Sequence, residues 1–96
     1  MIVQVGADGT VRLLEPGDLR RFSIAMPDTD AARAVLATVA RPDGRDHAWI
    51  APDQVRALAG PVPPGWDEQF AATVAYAAGK GWTDADGALR AHIVYH

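Results

Sequence analysis

Closely spaced turn signals in the first quarter of the chain constrain its fold more than any other sequence feature. Asp8-Gly9 tolerates the positive φ angles of a tight hairpin turn and separates two β-branched segments, 1–5 and 10–14. The segment 15–18 (EPGD) is typical of a type II turn, because Pro presets φ and Gly accepts a positive value. An alternating segment, 20–26, follows. We therefore predict three short strands joined as an antiparallel meander.

The middle of the chain changes to helical periodicity. Ala32, Val35 and Leu36 recur at helical spacing after an Asp-Thr-Asp sequence whose side chains can cap free N–H groups, which predicts a helix over 29–40. A short strand is predicted at 47–51. Two further helices follow at 53–60 and 66–80.

The last fifteen residues, 82–96, fit two structures. Leu89 and Ile93 are four residues apart, and Thr83 with Asp86 resembles a capping box, which favours a helix. However, the segment 84–87 (DADG) has good turn chemistry, and alternate residues from Leu89 onward are apolar, as in a strand of a hairpin. The helix is the prediction and the strand is the alternative.

These elements predict one α+β domain spanning residues 1–96. We expect a small antiparallel sheet of three to four strands, from residues 1–26 and 47–51, packed against three to four helices. The connector 61–65 (PVPPG) is stiff, but it is too short to divide so small a chain into two domains.

Composition excludes several classes of site. The 96-residue chain has no cysteine, so disulfides, thiolate metal sites and cysteine nucleophiles are absent. A net charge of −3 argues against a nucleic-acid partner, since binding phosphates requires a surplus of basic side chains. Neither a signal peptide nor an apolar run of about 20 residues is visible, so we expect a soluble, cytoplasmic protein with no membrane partner. No cofactor motif occurs.

Two histidines are the candidates for acid–base chemistry. His47 stands near Trp49 on a predicted strand, and a histidine facing a pocket there could transfer protons near neutral pH. His92 is the second candidate, and Asp46 is a candidate orienting carboxylate. The alternative for His47 is a partly exposed strand residue. If the tail is helical, His92 and His96 share the spacing of a two-histidine metal pair, but two ligands do not make a site, so we predict no metal site.

Tryptophans and arginines are the candidates for contact with a ligand or a partner. Trp49, Trp66 and Trp82 either fill the core or anchor an interface or a small-molecule pocket. Arg20 and Arg21, with Arg12 nearby, could bind an anionic molecule, or they could form the polar face of the sheet.

Two functions are consistent with these residues. The first is a non-catalytic interaction or accessory module that acts through a protein partner or as a homo-oligomer. The alternative is a small enzyme, or a subunit of one, that binds an apolar or aromatic small molecule and uses a histidine as general acid or base. The alternative requires a histidine inside a concave, partly apolar cavity.

Overall fold

The computed structural model describes residues 1–19 and 21–96, which form a six-stranded mixed sheet and three helices. The strands are β1 (Ile2–Val5), β2 (Val11–Leu14), β3 (Ser23–Met26), β4 (Arg41–Asp43), β5 (His47–Ile50) and β6 (Leu89–Tyr95). The helices are α1 (Asp30–Leu36), α2 (Pro52–Ala59) and α3 (Trp66–Gly79). The predicted α+β class is confirmed, but the sheet has more strands than predicted and its order is β2-β1-β3-β6-β5-β4.

The N-terminal hairpin forms as predicted, but β3 does not complete a meander. β1 and β2 pair antiparallel, and Gly9 in their turn has a φ of 95°. β3 instead runs parallel to β1 along its other edge, so the predicted antiparallel meander is wrong. The chain passes the start of β1, where the Met1 amino group donates to the carbonyl oxygens of Asp18 (2.5 Å) and Arg21 (2.6 Å). Burial lowers the pKa of this amino group, because its charged form loses hydration.

The turn before β3 also differs in type from the prediction. Asp18 N–H donates to the Glu15 carbonyl oxygen (3.0 Å), so a turn does form at 15–18. Its residue with positive φ is Glu15, at 49°, whereas Gly17 is not in that region. A type II turn requires positive φ at the glycine, so that assignment is wrong.

Within the tail, Leu89–Tyr95 form the strand β6, so the predicted helix is wrong and the alternative, a strand, is correct. β6 lies between β3, to which it is parallel, and β5, to which it is antiparallel. Its residues alternate between buried and exposed positions along most of its length. The turn before it is held by the Asp84 carboxylate, which accepts from the N–H groups of Asp86 (2.9 Å) and Ala88 (2.8 Å).

α1 is shorter than predicted, and an edge strand that was not predicted follows it. α1 ends at Leu36, and β4 then pairs antiparallel with β5 across a turn in which Gly44 has a φ of 68°. Pro42 is tolerated in β4 because an edge strand has a row of N–H positions that need no partner. The other two helices lie within one residue of their predicted bounds.

Buried side chains of the sheet all lie on one face and share a core with the helices. The sheet contributes Val3, Val5, Ile24, Met26, Ala48, Ile50, Leu89, Ala91 and Ile93, and the helices contribute Ala32, Leu36, Val55, Trp66 and Phe70. We call the opposite face the open face; it carries Ile2, Gln4, Arg12, Leu14, Ser23, Ala25, Arg41, Asp43, His47, Trp49, Arg90, His92 and Val94. None of these open-face residues is buried. Across residues 1–19 and 21–96, no helix has the length and apolarity needed to cross a membrane.

Candidate functional site

A cleft of about 860 Å³ lies between the second half of α3 and the ends of the central strands. The helix contributes Ala72, Thr73, Tyr76 and Ala77, and the sheet contributes His47, Leu89, Arg90 and His92. Met1, Leu19, Phe22 and Trp82 complete its lining. Small-molecule sites typically measure about 300–1,000 Å³ and have mostly apolar walls with a few polar groups. The cleft has this size and this kind of lining.

Two aromatic rings form an exposed wall of the cleft. Tyr76 and Trp82 meet edge to face with ring centroids 6.0 Å apart. Tyr76 is 60% exposed and Trp82 is 54% exposed, although both are large and apolar in most of their surface. Rings of this kind at the edge of a concave site provide a large contact area for an apolar ligand.

The backbone of Trp82 is hydrogen-bonded through both its N–H group and its carbonyl oxygen. Trp82 N–H donates to the Ala77 carbonyl oxygen (2.9 Å), which satisfies a free group at the end of α3. The Trp82 carbonyl oxygen in turn accepts from Arg90 N–H (3.1 Å), which ties the segment to β6. Gly81, with a φ of 77°, makes the reversal between helix and strand possible.

His47 and His92 are brought together on the open face. They are register partners on β5 and β6, with ring centroids 5.2 Å apart and an interplanar angle of 66°. Ile93 N–H donates to the Asp46 carbonyl oxygen (2.7 Å), so the next pair along the ladder, His47 and His92, is a non-hydrogen-bonded pair. Side chains approach most closely at such pairs. Within the described residues, neither imidazole has a hydrogen-bond partner.

Arg90 adds a cationic group beside the histidines. It lies two residues before His92 on the same face of β6. Its Nε is 3.4 Å from the Asp43 carboxylate, and its guanidinium carbon is 6.0 Å from the centre of the Trp49 ring. Both members of this ion pair are close to half exposed, and such pairs contribute little to stability. The guanidinium therefore has donors left for a ligand.

A row of polar side chains crosses four strands of the open face. Ser23 on β3 is the register partner of His92, His92 of His47, and His47 of Asp43. The strand register brings Ser23 beside His92, although the two residues are distant in sequence. Of the four residues in this row, His47 and His92 line the cleft, whereas Ser23 and Asp43 do not.

The other predicted site residues have separate places. Asp46 is exposed, and it takes part in the sheet through its carbonyl oxygen without lining the cleft. Arg21 is exposed and is also outside the lining, and Arg20 lies outside the described residues. The structure therefore brings neither Asp46 nor Arg21 to the cleft.

The three tryptophans have three different environments. Trp66 is buried in the core, and its Nε1–H donates to the Pro16 carbonyl oxygen (2.7 Å). Trp49 is half-buried on the open face, with the guanidinium carbons of Arg41 and Arg90 5.8 and 6.0 Å from its ring centre. Of the three, Trp82 lines the cleft.

Tyr76 and Arg90 line the cleft but were not predicted as site residues. Tyr76 gives no signal of its own, because it falls within an alanine-rich helix. Arg90 could have been found together with His92, since the two share a face if the tail is a strand.

No group of three or more histidine, aspartate or glutamate side chains within residues 1–19 and 21–96 is placed to hold a metal ion. The described lining of the cleft also includes no carboxylate. Neither the family models, nor the curated proteins, nor the solved structures that were searched gave a significant match to this chain. The functional interpretation therefore depends on the residues of the cleft.

Proposed function

We propose that this protein is a small binding module and that its cleft takes up an apolar or aromatic small molecule. The cleft itself carries the proposal, because about 860 Å³ of concave, largely apolar space is open beside two exposed rings. Transfer of a ligand's apolar surface from water into such a cleft is favourable by about 25 cal/mol per Å². Leu19, Phe22 and Ala77 contribute apolar surface to the lining of the cleft.

Binding fits this arrangement more directly than acid–base catalysis. A catalytic histidine needs its proton placed on a defined nitrogen, and a hydrogen-bonded carboxylate or carbonyl usually does this. His47 and His92 line the cleft, but Asp46, the predicted orienting group, does not. The histidines therefore enter the proposal as polar groups that contact a ligand.

The test uses N-phenylnaphthylamine, an uncharged aromatic probe whose fluorescence rises in apolar surroundings. We expect saturable binding at one site per chain. Ala72→Phe should fill the cleft and weaken binding by about tenfold or more, which corresponds to about 1.4 kcal/mol. Ala75→Phe is the matched control, because Ala75 is an exposed alanine of the same helix that does not line the cleft.

Two results would overturn the proposal. One is the absence of saturable binding by the unmodified protein. The other is an equal loss in the two alanine variants, which would show that the probe binds elsewhere. Circular dichroism of each variant establishes that the fold is retained.

A second candidate function is contact with a protein partner or a second copy of the chain through Tyr76 and Trp82. The exposure of both rings favours it, since tyrosine and tryptophan are enriched among residues that dominate interface energy. Sedimentation equilibrium tests whether a second copy of the chain binds there. A concentration-dependent dimer that Trp82→Ser abolishes would support self-association, whereas a monomer at all concentrations would exclude self-association.

A further inference from the structure

The cleft has two chemically different ends. Its aliphatic and aromatic lining includes Tyr76, Ala77 and Trp82. Its polar end, on the open face of β5 and β6, consists of the nitrogen-bearing side chains of His47, His92 and Arg90, and Trp82 borders this end because Arg90 N–H donates to the Trp82 carbonyl oxygen. We propose that the ligand is an amphipathic anion, with an aromatic or apolar body against the rings and an oxyanion group, such as a carboxylate or sulfonate, at the second end. This inference rests on the proposed function and specifies the class of ligand.

The polar end is compact because of strand register. His47 stands opposite His92, and Arg90 lies one side-chain repeat further along the same face of β6, about 7 Å away. Three side chains that can donate from nitrogen therefore converge from two adjacent strands. Arginine can offer two parallel N–H groups to an oxyanion, and a histidine can add a third donor.

The charge around this end favours an anion over a cation. The described lining contains one formal cationic side chain, Arg90, and no carboxylate. The nearest acidic partner of Arg90 is Asp43, at 3.4 Å in a solvated pair, which a ligand can displace at small cost.

Both ends together select the ligand. A neutral hydrophobe that filled the cleft would take water away from the three donors and leave them without acceptors, which is costly. A small inorganic anion would satisfy those donors but leave Tyr76 and Trp82 exposed to water. A molecule with an apolar body and an anionic group satisfies both ends.

The test compares two probes that differ in one group. Anilinonaphthalene sulfonate has the aromatic body of N-phenylnaphthylamine and an added sulfonate. We expect the sulfonate probe to bind about tenfold more tightly than the neutral probe. Arg90→Gln and His92→Gln should each reduce affinity for the sulfonate by about three- to tenfold and change affinity for the neutral probe by less than about twofold. Both residues are exposed, so these variants should retain the fold.

Arg12→Gln is the matched control. Arg12 is an exposed arginine of the same open face, on β2, and it does not line the cleft. Its replacement should leave the affinities for both probes unchanged. If Arg12→Gln lowers the affinity for the sulfonate probe as much as Arg90→Gln does, the preference for the sulfonate comes from the overall charge of the protein. The inference would then be wrong.

Failure of the inference and failure of the proposed function give different results. If the neutral probe binds in the cleft and the sulfonate probe binds with no higher affinity, the cleft is a hydrophobic site. The proposal of an anionic ligand is then wrong. If neither probe shows saturable binding, the proposed function fails, and this inference fails with it.

Discussion

The two ends of α3 carry aromatic pairs with opposite environments. At its start, Trp66 and Phe70 stack with ring centroids 5.0 Å apart and are 3% and 7% exposed. At its end, Tyr76 meets Trp82 edge to face at 6.0 Å, and both rings remain more than half exposed. One helix thus joins a pair that fills the core to a pair that contacts solvent.

The difference between the pairs separates folding from binding. The indole N–H of Trp66 donates to the Pro16 carbonyl oxygen, so this buried ring leaves no polar atom unsatisfied. Burial and packing at that end stabilise the fold. The exposed pair leaves most of its apolar surface in contact with water. That surface contributes favourable free energy only when another molecule covers it. We therefore expect substitutions at the start of α3 to change stability and those at the end to change binding.

The largest expected effect is the loss of stability in Trp66→Ala. Removing a buried tryptophan leaves a cavity and an unpaired carbonyl oxygen at Pro16, so the free energy of unfolding should fall by about 3–5 kcal/mol. Urea unfolding followed by far-ultraviolet circular dichroism measures it.

Trp66→Phe serves as the control for this prediction. It keeps a ring that can stack on Phe70 but removes the indole donor, so its loss of stability should be intermediate. A loss below about 1 kcal/mol in Trp66→Ala would show that this end of α3 is not needed by the core and would remove the contrast between the two ends.

The second prediction concerns Trp82→Ala, which should affect binding more than stability. Its free energy of unfolding should stay within about 1 kcal/mol of the parent value, because the ring is largely exposed. Affinity for N-phenylnaphthylamine should fall by about tenfold, as is common for a tryptophan that anchors a ligand. A fluorescence titration checks this, and unchanged affinity would place the probe away from the exposed pair.

The fold could be predicted where local chemistry decides the structure. The Asp8-Gly9 turn defines the first hairpin, and the apolar stripe from Trp66 through Phe70 defines α3. The tail could not be decided in this way, because Leu89 and Ile93 satisfy both a helical spacing of four and a strand period of two. Pairing of β6 with β3 and β5 settles the choice, and that pairing is non-local.

The candidate site was predicted only in its parts. His47, His92 and Trp82 were each identified from sequence, but the pairing of the two histidines follows from β6 being a strand. With a helical tail, the same reasoning paired His92 with His96 instead. The parallel placement of β3 was missed for a similar reason, since its neighbours in the sheet are set by contacts that a turn pattern does not encode.

The third prediction tests the reversal that presents Trp82 at the end of α3. Gly81→Ala should lower the free energy of unfolding by about 1 kcal/mol, because Gly81 has a φ of 77° and no atom lies close enough to add a clash. Gly79→Ala is the matched control, two residues earlier. Gly79 is helical with open space around it, so alanine should stabilise the protein by about 0.5–1 kcal/mol. Thermal melts that move in the same direction for both variants would contradict this account.

The smallest expected effect is an acid dependence of stability that arises away from both ends of α3. The Asp28 carboxylate accepts from Arg45 (2.5 Å) and Arg33 (2.7 Å), and these hydrogen bonds lower its pKa below the ordinary value of 3.8. A carboxyl with a lower pKa in the folded state contributes stability above its unfolded pKa, and this contribution is lost as the pH falls through the folded pKa. Asp28→Asn should therefore melt slightly below the parent near neutral pH, and the difference should close below about pH 4.

The lowered pKa of Asp8, caused mainly by the Thr10 hydroxyl, gives both proteins a shared acid dependence that cancels in this comparison. Probe binding should not change in Asp28→Asn, because Asp28 does not line the cleft. Melting temperatures that stay parallel from pH 7 to the acid range would show that these exposed ion pairs contribute nothing measurable to stability, as is common for surface pairs. A loss of probe binding in this variant would instead show that the cleft depends on more of the molecule than the end of α3 and the strands beside it.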